Sequence, residues 1–105
     1  MRVIAALMLF CLCAPASAGF TDTPACRAKL ARAAQLVDAV AARDRGVAPA
    51  GTAAICKVLA VNRRDMREAT QAMQACLTGR EKSENVGQML ASLDDVEAVL
   101  RQKCR

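Results

Sequence analysis

Between residues 52 and 78 the positions Ile55, Leu59, Asn62, Met66, Ala69, Met73 and Cys76 are spaced alternately by four and three. That alternation keeps one side of an α-helix turned towards a neighbour, the pattern of a helix packed in a bundle. Thr52 is placed to cap this helix and Gly79 to end it. Asn62 is the one polar residue in the seam. A buried amide at such a position fixes register at a cost in stability, so Asn62 is expected as a core polar residue.

Two further segments carry the same period. Thr23-Pro24 marks a helix start, because Thr caps well and Pro suits the first helical position. Behind it run Cys26, Leu30, Ala33, Val37 and Val40, up to Gly46, a residue suited to a left-handed helix end. Ser83 is placed to cap a last helix with an apolar side of Val86, Met89, Leu90, Leu93, Val96, Leu100 and Cys104. Gly87 weakens it by about 1 kcal/mol relative to Ala, so its first turns are expected to fray. No stretch has the strict alternation of a half-buried strand. Helices over about 24–45, 52–78 and 83–104 with short connections form antiparallel neighbours. The fold expected is all-α, an antiparallel up-down-up three-helix bundle of residues 19–105.

The first eighteen residues read differently. Arg2, the apolar run Val3 to Leu12 and the ending Ala16-Ser17-Ala18 are the parts of a secretory signal peptide. The run falls short of the roughly twenty residues a membrane span needs. Cleavage after Ala18 removes Cys11 and Cys13 with the signal and leaves Cys26, Cys56, Cys76 and Cys104. Four cysteines in a short exported chain are a disulfide framework. No C-x-x-C pair is present, so neither a zinc site nor a redox motif is indicated. Arg outnumbers Lys and Ala is the commonest residue, a bias of GC-rich genomes that points to a bacterial periplasm, otherwise to the extracellular space.

Helix geometry decides the pairing. Cys56 and Cys76 share one helix and stand about 30 Å apart at 1.5 Å per residue, beyond any bridge. Cys26 opens its helix far from the 46–51 connection, whereas Cys56 follows that connection by one turn. Their separation along the axis is roughly 20–25 Å, which excludes that pair too. Cys26–Cys76 and Cys56–Cys104 remain, one at each end of the bundle. Each closes a loop of about fifty residues, for which chain entropy gives roughly 4 kcal/mol.

Composition then narrows function. The chain has no His, Trp or Tyr. It lacks the usual proton shuttle and metal ligand, and the rings that stack on bases. Only Ser83 and Ser92 supply hydroxyls of serine in the mature chain, and Asp94 and Asp95 point about 100° apart on a helix. No catalytic set, cofactor motif or metal site is indicated, and a non-enzyme is expected. Met66, Met73 and Met89 offer thioethers suited to Cu(I), but Met is also a common core filler. Arg63, Arg64 and Arg67 make the densest basic cluster, with Arg64 and Glu68 spaced to pair at i,i+4. This cluster is the candidate interaction face. The function expected is a small exported module binding an unidentified protein, of acidic character if the arginines are the contact. The alternative is a membrane-surface protein drawn to anionic headgroups, opposed by the lack of Trp. Cu(I) binding through Met is weaker still, and nucleic acid is not expected.

Overall fold

The computed structural model describes residues 19–47 and 51–104; the segment expected as a signal peptide lies outside them. They form helices α1 (Pro24–Val47), α2 (Thr52–Cys76) and α3 (Gly79–Lys103), with no strand among the described residues. Thr23 caps α1, its Oγ1 accepting from the Cys26 N–H at 3.1 Å. Helix α1 runs two residues past the expected end, since Gly46 does not take a positive φ. Gly51, not Thr52, is the N-cap of α2, and no side chain caps that end. Thr52 is instead the first helical residue.

The larger correction is at α3, which begins four residues before Ser83. Leu77 and Thr78 are extended, and Gly79 opens the helix with a φ of 56°. What fixes this turn is remote in sequence. The Thr21 N–H donates to the Cys76 carbonyl at 2.7 Å and the Thr78 N–H to the Gly19 carbonyl at 2.8 Å. Phe20 thereby pairs with Leu77 as a short antiparallel bridge. Ser83 lies inside α3, its hydroxyl donating to the Gly79 carbonyl, and the helix passes Gly87 without a break.

Both disulfides pair as helix geometry requires, Cys26 with Cys76 and Cys56 with Cys104, at S–S distances of 2.11 and 2.08 Å. Helix α2 packs against both neighbours, but no Cα of α1 comes within 8 Å of one in α3. The bundle is therefore open along one side. Ala33 and Leu36 of α1 meet Ala69 of α2, with Ala72 and Met89 packed against them. Met66, Cys76 and Leu93 are also buried.

This opening explains where the apolar pattern misled. Leu36 is 5% exposed, whereas Val37, expected in the seam, is 37% exposed. Val37 faces the cleft between α1 and α3, which it lines with Val40, Leu59, Met66 and Met89. With no α3 backbone close by, Leu36 towards α2 takes the buried role. Leu90 is likewise exposed, on the outer side of the α2–α3 contact.

Two glycines in α3 should respond with opposite sign to alanine. Nothing lies within 4 Å of a Cβ at either Gly79 or Gly87, so only backbone conformation differs. Gly79→Ala forces a side chain into the left-handed region and should destabilise by about 1 kcal/mol or more. Gly87→Ala should stabilise by about 0.5–1 kcal/mol. Urea unfolding of the oxidised protein measures both.

Candidate functional site

Two polar constellations and one disulfide define the surfaces of interest, and all three are organised by α2. The first is buried. Asn62 is 1% exposed and Asp65 5%. Residues three apart on a helix share a side, and both reach the end of α1. The Asn62 Oδ1 accepts from Arg43 Nη1 at 2.8 Å, and Asn62 Nδ2 donates to Asp44 Oδ1 at 2.8 Å. Arg43 Nη2 donates to Asp65 Oδ2 at 2.5 Å. Among the described residues no buried side-chain polar atom is left without a partner. The Arg43 hydrogen bond holds the Asp65 carboxyl below its usual range, against the opposing effect of burial, with the Arg43 and Arg64 charges assisting.

Arg64 reaches this constellation from the surface, its side chain 75% exposed. Its guanidinium donates to Asp65 Oδ1 at 3.4 Å. The expected Arg64–Glu68 pair is replaced: Glu68 accepts from Arg32 of α1 at 3.2 Å. The reason is competition, since Arg32 and Asp65 are held nearby by the packing of α1 and by burial respectively. The arginine cluster read from sequence is thus divided. Adjacent residues on a helix differ by about 100°, so Arg64 leaves the face that Arg63 and Arg67 share.

That face forms one wall of the second constellation. Lys57, Arg63 and Arg67 of α2 look across a groove of about 630 Å³ at Glu97, Leu100 and Arg101 of α3, with the Cys56–Cys104 bridge at its end. Arg67 Nη2 donates to Glu97 Oε1 at 2.6 Å and ties the two walls together. The described lining thus carries four cations and the Glu97 carboxylate. Beyond the Arg67–Glu97 pair the groove continues past Thr70, Gln74, Leu90 and Leu93. The sequence pattern alone does not group Lys57 and Arg101 with the arginines. The signal was available in part, because Lys57 and Arg63 flank the same turns of α2, but Arg101 joins only through α3.

Met66 and Met89 line the cleft between α1 and α3, whereas Met73 is not part of it. No group of three or more Cys, Asp or Glu side chains suited to a metal occurs among the described residues. Nor is any helix among them long and apolar enough to cross a membrane. The disulfides place the chain in a non-reducing compartment.

The Arg43–Asp65 contact carries a pH signature. A carboxyl whose folded pKa is lowered adds stability above its unfolded value, and that stability is lost as pH falls through the folded value. Asp65→Asn should therefore be less stable than wild type by about 2–3 kcal/mol at neutral pH. The gap should narrow below about pH 4. Thermal or urea unfolding of both proteins between neutral and acid pH reads the difference.

No family model matches this chain, and no curated protein or solved structure is similar to it.

Proposed function

We propose that this chain is a small, exported, non-enzymatic interaction module that binds an acidic segment of another protein in the α2–α3 groove. The observation that carries the reading is the charge of that groove, whose described lining holds Lys57, Arg63 and Arg67 from α2 and Arg101 and Glu97 from α3. A concave surface lined by one sign of charge raises the local concentration of the opposite sign. The exposed Leu90 further along offers the partner an apolar contact. Helices stapled at both ends by disulfides hold such a surface ready, so little ordering cost falls on binding. The disulfides and the signal-like N-terminal segment favour the bacterial periplasm, with the extracellular space as the other exported location.

Anisotropy of a fluorescent Glu-rich peptide titrated with the oxidised protein tests this. Binding should be present at low salt and weaken steeply as ionic strength rises towards about 0.5 M. The double substitution Lys57→Glu with Arg63→Glu should weaken it at least tenfold, or about 1.4 kcal/mol. Equal binding by wild type and variant would remove the groove from the reading. Co-flotation with anionic vesicles, with no binding of the peptide, would transfer the site to a membrane surface.

A further inference from the structure

The two disulfides stand in unlike surroundings. Cys76 is 0% exposed, and the Gly19–Thr21 segment is hydrogen-bonded to the same end of the molecule, at Cys76 and Thr78. Cys56 and Cys104 are both partly open. They line the basic groove together with Lys57, Arg63 and Arg101. Cys104 is also the C-cap of α3, held by a 3.1 Å hydrogen bond from its N–H to the Leu100 carbonyl.

Cys26 is partly open as well, but attack there would expel the fully buried Cys76 as a thiolate, which burial disfavours. Thiol–disulfide exchange needs two things that the Cys56–Cys104 end supplies together. A thiolate must reach a sulfur, and the sulfur it expels must leave as a thiolate. Nearby lysine and arginine stabilise a cysteine thiolate. The same cations raise the local concentration of a negatively charged reactant. We propose that Cys56–Cys104 is a site of thiol–disulfide exchange selective for anionic thiols, while Cys26–Cys76 is a structural bridge.

An incoming thiolate attacks one sulfur of the pair, forms a mixed disulfide and expels the other sulfur as a thiolate. A second thiol then attacks the sulfur of the first, releases the remaining cysteine and leaves the two thiols joined as their own disulfide. Two electrons pass from the thiols to the Cys56–Cys104 bond, and the two protons the thiols give up end on Cys56 and Cys104. Opening the bond frees the end of α3 and with it Leu100 and Arg101, which form one wall of the groove. The inference uses the groove of the interaction reading but requires no acidic partner.

The test treats the oxidised full-length mature chain at low salt with mercaptoethanesulfonate, mercaptoethanol or cysteamine, which are anionic, neutral and cationic. Each rate is divided by that thiol's rate on an uncharged small disulfide. Samples are alkylated at intervals and the cysteines located by peptide mass. Cys56 and Cys104 should be alkylated first, with Cys26–Cys76 intact. The sulfonate should act about tenfold faster than cysteamine, a preference that falls towards unity in about 0.5 M salt. Lys57→Glu with Arg63→Glu should abolish or reverse the preference, while the order of opening of the two bridges stays the same. Opening of Cys26–Cys76 first or simultaneously, equal normalised rates for the three thiols, or resistance to all three would overturn the proposal. Because the readout is bond opening, loss of peptide binding alone leaves this result standing and points to failure of the interaction reading only.

Discussion

Covalent ties at the two ends of α2 are the constraint on which the rest of this molecule depends. Helix α2 is the one element against which both others pack, because α1 and α3 never approach closely along their backbones. In a closed three-helix bundle each helix packs its backbone against two neighbours, whereas here α1 and α3 meet through side chains such as Met89 without close backbone approach. Cys76 binds α1 at one end and Cys56 binds α3 at the other. The buried apolar set is small and rich in alanine. A domain of this size buries too little surface to hold such an open arrangement by packing alone.

Within that frame, polar contacts do what a larger core would otherwise do. Asn62 and Asp65 occupy the side of α2 nearest the end of α1, where Arg43 and Asp44 reach them. A buried amide satisfied at both its oxygen and nitrogen penalises every register in which those partners are absent. Ion pairs at more exposed positions, Arg32–Glu68 across α1–α2 and Arg67–Glu97 across α2–α3, add alignment with little energy. Register thus comes from hydrogen-bonded charge near the α1–α2 connection and from sulfur at the ends.

What could be read from the sequence followed from local geometry. The disulfide pairing was legible because the rise per residue of a helix excludes the competing pairs without knowledge of packing. Asn62 was legible as a break in an otherwise apolar seam. Asp65 was not, since a charged residue beside a seam reads as solvated until Arg43 is known to cover it. The exchange of Leu36 for Val37 depends on the rotation of α1, which the distance of the α3 backbone decides. The start of α3 was hidden for a different reason: the Gly79 turn is set by backbone bonds to Gly19–Thr21, nearly sixty residues earlier. Likewise Arg63 and Arg67 were visible as a face, but Arg101 could join them only once α3 was placed.

The position of the Cys56–Cys104 bridge bears on why the basic groove persists. Lys57, Arg63 and Arg67 of α2 gather like charge along the groove, and Glu97 of α3 offsets part of it through its pair with Arg67. Ala60 is exposed and Leu100 only partly buried, so little apolar burial holds the end of α3 to α2 there. A covalent bond is indifferent to charge and salt, so it holds the cations close under conditions in which an ion pair or a small apolar contact would yield. The groove therefore combines concentrated positive charge with a fixed shape, and both properties depend on the one bond that lies open in it.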